Sequence, residues 1–460
     1  MAFLVQLAAR AGENWPQWRG PSGNGTSDST KLPTEWSLAK NKNIVWKAAL
    51  PWWSGGTPVI WGDRVFVTSP TKSEMAASSV NQATKDKGPG DKGPGGPKGK
   101  GGKGSGGYGG NSDPGGDALL LLCLAKKDGG VLWQRELDAG NRLYRKQNCS
   151  SPSPVTDGKH VWAVTGTGAV AAFDMDGTVL WKRNIQKDYG EFGLQWGYGS
   201  SPILFEGKLI IQVLHGNNTD EPSYLVALDG ATGKPVWRKE RPTDARAESP
   251  DAYTTPVLLT ISGKPQIVVS GGDYVTGHDP GTGEEIWRAA GLNPQRQPNF
   301  RIIASPVAAG DMIFAPTRRK PLLAIRAGGK GNITESHTAW RFDLGPDVPS
   351  PLSDGQYFYS IDDSGVAHCL DAHTGKVVWG PERTNVGATI SSSPILADGK
   401  IYVTGENAQT VVIAAGPQYK LLATNDLDGT YTLSSIAVSG QQLFLRTSTH
   451  LYCIGNSGAE

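Results

Sequence analysis

Polar and aromatic side chains that could bind a ligand are concentrated in the middle of this sequence. They fall in loops between apolar runs and comprise Trp196, His215, Asp251, Tyr253, Asp273, Arg301 and Arg318. A guanidinium binds a carboxylate or phosphate as a fork, and an aromatic ring stacks on a flat body. If the loops converge, they could hold a small anionic or planar ligand, a sugar or a peptide segment. Alternatively, these polar groups hydrogen-bond one another and the loop backbones.

The sequence carries no motif for metal binding or nucleophilic catalysis. Its acidic residues are scattered, and no histidine stands at metal-ligand spacing from them. Four cysteines without a Cys-x-x-Cys pair favour neither zinc nor a disulfide framework. Cys123, Cys369 and Cys453 occupy one equivalent position in segments of the sequence that resemble one another, so we expect them to be buried strand residues. No metal and no catalytic residue is predicted.

Composition favours an all-β protein. The chain has 460 residues, of which 61 are Gly, 15 are Trp and 38% are hydrophobic, as in a turn-rich protein with many aromatic anchors. The formal net charge of +2 gives no electrostatic basis for binding nucleic acid, so no nucleic-acid partner is predicted. No run of eighteen apolar residues occurs, so no transmembrane segment is predicted.

A repeated opening signature, Ser or Thr followed by Pro and a β-rich run, indicates the fold. It recurs at intervals of about 40 to 55 residues once one insertion is set aside, which is the length of a four-stranded propeller blade. The openings are Thr57-Pro58, Ser153-Pro154, Ser201-Pro202, Thr255-Pro256, Ser305-Pro306, Ser350-Pro351, Ser393-Pro394 and the degenerate Ser434-Ser435. In these openings the hydroxyl group is expected to cap the start of a strand.

A closing signature ends most of the repeats. It is clearest in the segments 227–237, 277–287 and 369–379, where a turn containing Asp, Thr and Gly precedes a Trp. Asp and Thr can hydrogen-bond the tight turn, Gly supplies a positive φ, and Trp gives a flat anchor against the next blade. Weaker turns precede Trp133, Trp181 and Trp340, and the seventh repeat has lost its Trp.

The last repeat stops one strand short, after Ile454. The segment 43–47 resembles a closing strand with no blade before it, so the two termini are expected to share a blade and to remove the open sheet edges. The predicted fold is therefore all-β, an eight-bladed β-propeller with four-stranded antiparallel blades, the last closed by the N-terminal strand.

The predicted organisation is a single propeller over residues 14–455 with short tails at 1–13 and 456–460. The first tail contains Ala9-Arg10-Ala11, which resembles the end of a signal peptide, so export to the periplasm or beyond is expected; a disordered tail is the alternative. Residues 72–117 form a Gly/Lys/Pro-rich insertion in the first blade that is expected to be disordered. A basic tether to anionic surfaces is the alternative interpretation.

The closing motif A-x-D-x-x-T-G-x-x-x-W resembles the tryptophan-docking repeat of the pyrroloquinoline-quinone (PQQ) propeller superfamily, over the whole span from Trp15 to Gly455. The box at residues 14–21 (NWPQWRGP) looks like that of exported PQQ-like propellers of planctomycete type. More distant resemblances are to BamB-like outer-membrane-assembly propellers and quinoprotein alcohol dehydrogenases. A common fold does not fix the function.

The resemblance implies two classes of function. Dehydrogenases of the superfamily place adjacent cysteines and a Trp around the cofactor, with Glu, Asn and Asp serving calcium and base catalysis; here no two cysteines are adjacent, and Cys149 has no neighbouring partner. The first expectation is therefore an exported, monomeric binding or assembly scaffold that holds a protein partner or a small polar or polymeric ligand on its loop face. The alternative is a PQQ-dependent oxidoreductase that acts on an alcohol or sugar, with PQQ and calcium as cofactors. A carbohydrate-active or sensor role is a third possibility.

Overall fold

The structure is a computed structural model that describes residues 12–73, 113–318 and 320–456. Within these residues the strands form eight sheets built around four antiparallel strands each, together with one small hairpin. Successive sheets pack face to face through shared apolar clusters, which makes a ring of eight blades. The predicted all-β, eight-bladed propeller is confirmed.

Each blade runs from an inner strand beside the ring axis to an outer strand at the rim. Blade one consists of Val59–Trp61, Arg64–Pro70, Leu119–Ala125 and Val131–Asp138. Blade two consists of Val155–Thr156, His160–Val164, Ala169–Asp174 and Val179–Asn184. Blade three consists of Ile203–Phe205, Lys208–Val213, Tyr224–Asp229 and Pro235–Glu240. Blade four consists of Val257–Ile261, Lys264–Gly271, Tyr274–His278 and Glu285–Ala290.

The second half of the ring repeats this order. Blade five consists of Val307–Ala309, Met312–Ala315, Leu322–Arg326 and Thr338–Phe342. Blade six consists of Leu352–Ser353, Tyr357–Ile361, Val366–Asp371 and Val377–Arg383. Blade seven consists of Ile395–Ala397, Lys400–Thr404, Thr410–Ala414 and Leu421–Asn425. Blade eight consists of Ala437–Ser439, Gln442–Arg446, His450–Gly455 and Ile44–Ala49.

A few short elements complete the described part of the chain. Gly331–Asn332 extends blade four and Thr26–Ser27 extends blade seven, both in parallel pairing. A hairpin of Leu143–Tyr144 and Gln147–Asn148 lies between blades one and two. The helices are Ile185–Tyr189 and Thr334–His337. No helix in the described ranges is long and apolar enough to span a membrane.

The sequence of each strand matches its position in the blade. All seven residues of Leu119–Ala125 (LLLLCLA) are buried, because a middle strand is covered on both faces by the neighbouring blades. The adjacent Val131–Asp138 lies at the rim and buries only Trp133 and Leu137. The four cysteines are buried and free, and three of them occupy middle strands as expected.

The two ends of the chain close the ring. Ile44–Ala49 pairs antiparallel with His450–Gly455, so that Ala48 faces Leu451 and Lys47 faces Tyr452. This N-terminal strand supplies the outer strand that the last repeat lacks, and the predicted composite blade is confirmed. Closure leaves the ring without the open sheet that an unclosed fan of blades would expose.

A segment that we call the strap, residues 14–33, crosses one end of the ring before the closing strand begins. Trp15 exchanges backbone hydrogen bonds with Ile60 in blade one, and the Pro16 carbonyl accepts the N–H of Thr156 in blade two. Further along, Thr26–Ser27 pairs with the inner strand of blade seven. The strap therefore connects blades one and two to blade seven.

Arg19 fixes the strap at the axis. Its guanidinium is buried and donates to the carbonyls of Asn24 in the strap, Pro351 in blade six and Pro394 in blade seven. Gly25 lies directly against this group, and a Cβ there would come 2.3 Å from the guanidinium carbon. Its φ of +80° is also one that favours glycine.

Tryptophans of the outer strands connect each blade to the next. Six indole N–H groups donate to a carbonyl in the turn before the outer strand of the following blade. The pairs are Trp46 to Lys126, Trp133 to Met175, Trp181 to Gly230, Trp237 to Pro280, Trp340 to Ala372 and Trp379 to Gly416. Each bond satisfies two polar groups while the ring covers the turn.

Two blades depart from this pattern for one shared reason. Trp287 of blade four donates to Gln266 of its own blade, and blade seven has Ala423 where the others have Trp. Blade five follows blade four and has a long connection at 327–337 in place of a tight turn. Blade eight follows blade seven, and no turn joins its strands His450–Gly455 and Ile44–Ala49, because they come from distant parts of the sequence. The hydrogen bond from the indole N–H to the next blade is therefore absent where that blade has no tight turn with a carbonyl to accept it.

The insertion in blade one is described only at its ends. Residues 74–112, on which the prediction of disorder mainly falls, lie outside the described residues. Residues 113–117 lie against the ring: Trp53 Nε1 donates to the Asp113 carbonyl at 2.7 Å, and Asn148 Nδ2 donates to the Pro114 carbonyl at 3.1 Å.

Candidate functional site at the channel mouth

A cavity of about 290 Å³ lies along the ring axis. The strap reaches it through Trp18 at one end. The loops that carry Trp196, Tyr253 and Arg301 precede the inner strands, whereas the strap contacts Ile60 and Thr156 within those strands. The strap and these loops therefore lie at opposite ends of the cavity. We call the loop end the mouth.

Aromatic and cationic side chains surround the mouth. Four of the seven predicted ligand-face residues line it, namely Trp196, Tyr253, Arg301 and Arg318. Tyr144, Arg145 and Lys146 of the hairpin join them. Arg145 is exposed, so the cavity meets solvent here. The structure thus brings together the guanidinium and aromatic groups that the sequence indicated for an anionic or planar ligand.

The Trp196 ring is held in place by its neighbours. Its backbone N–H donates to the Tyr253 hydroxyl at 3.0 Å, and its Nε1 donates to Glu248 Oε1 at 2.8 Å. Arg145 lies 5.4 Å from the centre of the ring, within range of a cation–π contact. Trp196 is therefore a fixed wall of the mouth.

Asp251 supports the loop that carries Trp196 and does not line the cavity. One carboxylate oxygen accepts the N–H of Gln195 at 2.8 Å, and the other accepts the N–H of Asn217 at 3.1 Å. Burial raises the pKa of Asp251 to about 6 in spite of these hydrogen bonds. The side chain acts on the site by positioning two loops.

The two predicted arginines differ in their surroundings. Arg301 lies between Glu248 and Asp347, with nitrogen–oxygen distances of 3.6 and 3.4 Å. Arg318 donates to the Asn299 carbonyl, while its Nε is buried without a hydrogen-bond partner among the described residues. A buried N–H group without a partner beside a cavity can donate a hydrogen bond to an acceptor atom of a bound ligand.

His215 and Asp273 lie away from the cavity. His215 accepts the N–H of Gly193 at Nδ1 and lies 3.2 Å from the Pro222 carbonyl through Nε2, so the assigned tautomer carries its proton on Nε2. Burial lowers the pKa of His215, which keeps the ring neutral. Asp273 accepts the Ser249 hydroxyl, and burial raises its pKa. Both side chains organise loops, as the alternative interpretation of the sequence allowed.

The hairpin reaches across the mouth from blades one and two to blade seven. Lys146 Nζ lies 2.6 Å from Glu406 Oε1 and 3.3 Å from Ser391 Oγ. On the other side, Gln147 donates to the carbonyls of Trp196 and Gly197. These contacts place the hairpin over part of the opening.

Two carboxylates face the cavity. Asp347 and Asp363 line it, and Asp363 Oδ2 accepts the backbone N–H groups of Asp347 and Val348. In the described ranges no three His, Cys, Asp or Glu residues come together as metal ligands. The described residues therefore offer no cluster of three such ligands for calcium, whereas the aromatic and arginine groups suit a flat anion.

A belt of seven hydroxyl groups surrounds the cavity below the mouth. Each accepts the backbone N–H of the equivalent residue in the preceding blade at 2.8–3.0 Å. The belt consists of Ser153, Ser201, Thr255, Ser305, Ser350, Ser393 and Ser435. Each hydroxyl therefore caps the start of an inner strand, as expected, and the strand belongs to the preceding blade.

Several residues of the site were not singled out from the sequence. The belt residues were found as fold markers, and their recurrence at one repeat position was a signal that they form a ring. Lys146 carried no such signal, because its partner Glu406 is distant in the chain and lies outside any shared pattern. Asp363 lies in a loop like those of the predicted set and was not distinguishable from its neighbours.

The fold and this axial cavity place the protein among the β-propellers with PQQ-type repeats. The chain belongs to the PQQ_2 family, described as outer membrane protein assembly factor BamB, whose model matches residues 168–335 and 332–450. It is 27% identical over 168 residues to a quinohemoprotein alcohol dehydrogenase of Pseudomonas putida, a match of 35% of this chain and 21% of that protein. The chain thus matches about a fifth of the length of this curated relative.

Solved structures agree with the fold. BamB from Moraxella catarrhalis superposes with a TM-score of 0.53 at 14% identity, covering 75% of this chain and 93% of that one. Quinohemoprotein alcohol dehydrogenase from Comamonas testosteroni superposes with a TM-score of 0.60 at 11% identity, covering 98% and 82%. At these identities the likeness concerns the fold alone.

Proposed function

We propose that this protein is an exported binding propeller that holds a small anionic ligand with a flat body at the mouth of its channel. One observation carries the proposal: the cavity is lined at its open end by Trp196, Arg301 and Arg318, and the strap crosses its other end. A pocket open at one end suits a bound ligand better than a through-channel. Export rests on the Ala9-Arg10-Ala11 sequence, and a monomer is expected.

The rigid ring suits this role. The outer-strand tryptophans act as docking groups between blades, and Asp251 and Tyr253 position the loop of Trp196. A preorganised mouth loses little conformational entropy when a ligand binds. The same face could present the ligand to a partner protein, in keeping with an assembly role.

The test uses the tryptophan fluorescence of the parent protein, with titration calorimetry to compare the affinities of the parent and the variants. Titration with aromatic dicarboxylates, and with PQQ as a flat tricarboxylate, should quench tryptophan emission in a saturable manner. Trp196→Ala and Arg301→Gln should weaken binding by roughly tenfold or more, because each removes a stacking or charge-assisted contact. Arg326→Gln, at an exposed residue of blade five outside the cavity, should bind as the parent does. Absence of saturable quenching by every probe would overturn the proposal.

A PQQ-dependent oxidoreductase is the second candidate, favoured by the match to a quinohemoprotein alcohol dehydrogenase. The purified protein would be reconstituted with PQQ and calcium and assayed with a dye-linked acceptor on alcohols and sugars. Turnover would replace the binding role by an enzymatic one. No change in PQQ absorbance on mixing would exclude this candidate.

A further inference from the structure

The hydroxyl belt has hydrogen-bonding capacity that the protein does not use. A hydroxyl group has one proton to donate and two lone pairs. Each belt oxygen accepts one backbone N–H, yet none of the seven donates its proton to an acceptor within residues 12–73, 113–318 and 320–456. Buried donors are almost always paired, with protein, water or ligand. The belt therefore offers up to seven O–H donors around one cavity.

These hydroxyls are shielded from bulk solvent. None of the belt residues is more than 6% exposed, and all seven line the cavity. Thr57, the equivalent residue of blade one, donates its N–H to Ser153, and its own buried hydroxyl has no partner among the described residues. No hydrogen bond joins Ser435 to Thr57 within the described residues. Polar atoms without a partner therefore remain at this point of the belt.

A buried positive charge lies next to the belt. Arg19 donates to the carbonyls of Pro351 and Pro394, which directly follow the belt residues Ser350 and Ser393. No carboxylate pairs with Arg19 in the part of the chain that the structure describes. A buried guanidinium bonded only to carbonyls retains a net charge, which favours an anion nearby.

Burial also affects the guanidinium itself. It lowers the pKa of Arg19 to about 9, because the charged form loses its hydration. An anion close to the belt would oppose this change.

We propose that the belt is a binding site for a small oxyanion, a carboxylate or phosphate group, whose oxygens accept hydrogen bonds from the ring of hydroxyls. Hydroxyl donors that are shielded from bulk solvent bind such a group more strongly than donors at the surface do. The inference rests on the proposed function, since the oxyanion is the acidic group of the ligand that the mouth admits. A free inorganic anion would occupy the same donors.

The belt is tested by matched substitutions at Thr255. Thr255→Val removes the hydroxyl at nearly constant volume, whereas Thr255→Ser retains it. Inorganic phosphate would be titrated at constant ionic strength in a chloride background, with calorimetry and thermal unfolding as readouts. We expect a saturable rise in the Tm of the parent protein and a roughly tenfold weaker affinity for Thr255→Val. Thr255→Ser should bind within about twofold of the parent.

Several outcomes would overturn the belt site. They are no saturable effect of phosphate on the parent protein, equal affinities of Thr255→Val and the parent, or only water at the belt in crystals soaked with selenate. The selenate experiment uses the parent protein, so it decides the question even if Thr255→Val does not fold.

The mouth variant Trp196→Ala separates this inference from the proposed function. It should lose affinity for aromatic dicarboxylates and retain affinity for phosphate. Phosphate binding without binding of aromatic dicarboxylates would support the belt as a site for a free anion and refute the role of the mouth. Binding of aromatic dicarboxylates that Thr255→Val leaves unchanged would support the mouth and refute the belt.

Discussion

At the scale of single residues, burial controls the charge of the cavity. Asp363 accepts two backbone N–H groups, which favour its ionised form, but burial and the nearby Asp347 outweigh them and raise the pKa of Asp363 to about 6. The carboxyl group therefore changes its charge in the mildly acidic range. Arg301, paired with Asp347, and Arg318 supply the opposing positive charge at the mouth.

The raised pKa of Asp363 predicts a pH dependence of stability. Since the folded pKa lies above the value of about 4 for an unfolded Asp, the folded state binds the proton more tightly, and the contribution of Asp363 to stability falls as pH rises from about 4 to about 6. Asp363→Asn keeps an acceptor oxygen and removes the charge. It should reduce this fall by on the order of 2 kcal/mol.

The measurement is urea unfolding of both proteins between pH 4 and 7. Asp343→Asn changes an exposed carboxyl group in the preceding loop and serves as the control, with a pH profile like that of the parent. A profile of Asp363→Asn that parallels the parent over the whole range would contradict the prediction.

At the scale of elements, the contact between an outer-strand Trp and the next turn is the unit that joins blades. Trp340 donates to the Ala372 carbonyl at 3.0 Å, and its ring covers Gly375, where a Cβ would come within 2.6 Å of the indole. The φ of Gly375 is +71°, which also favours glycine. The turn and the Trp therefore fit each other as a pair.

Trp340→Phe should lower the free energy of unfolding by about 1–3 kcal/mol, because the Ala372 carbonyl loses its donor and the ring becomes smaller. Ala423→Trp in blade seven should bring no comparable gain, since blade eight has no turn to accept its N–H. Val377→Thr, at an exposed outer-strand residue, controls for changes at the rim. Chemical denaturation measures the free energy of unfolding of the parent and the three variants. An Ala423→Trp variant that is more stable than the parent would contradict the explanation.

The limits of sequence prediction follow from the same elements. The repeat predicted every blade and the missing Trp of blade seven, because turn and strand residues recur within one unit. It gave no information on Lys146 and Glu406, whose contact crosses the mouth between non-neighbouring blades. Among the candidate site residues, it indicated Trp196, Tyr253, Arg301 and Arg318 by chemistry and loop position. It could not separate them from His215, Asp251 and Asp273, because the direction of a loop side chain depends on packing.

At the scale of the whole molecule, the N-terminal segment has two structural roles. The strap crosses one end of the channel, and Ile44–Ala49 then completes blade eight. The resemblance of residues 14–21 to exported PQQ-like propellers of planctomycete type stays a prediction. The structure adds that Trp15 and Arg19 of this box connect blade one to blades six and seven. Ring closure and channel closure therefore depend on one continuous stretch of chain.

This dependence predicts that removal of residues 1–49 abolishes the cooperative fold. The truncated chain would expose the edge of His450–Gly455 and leave the carbonyls that bind Arg19 without a donor. Size-exclusion chromatography should then show association or an expanded state in place of a compact monomer. A peptide of residues 12–49 added in trans should restore a single thermal transition whose midpoint rises with peptide concentration, because it binds only the folded ring.

A chain that lacks only residues 1–11 is the control and should unfold as the full chain does. A truncated protein that melts as sharply as the full chain without the peptide would show that the ring closes by other contacts.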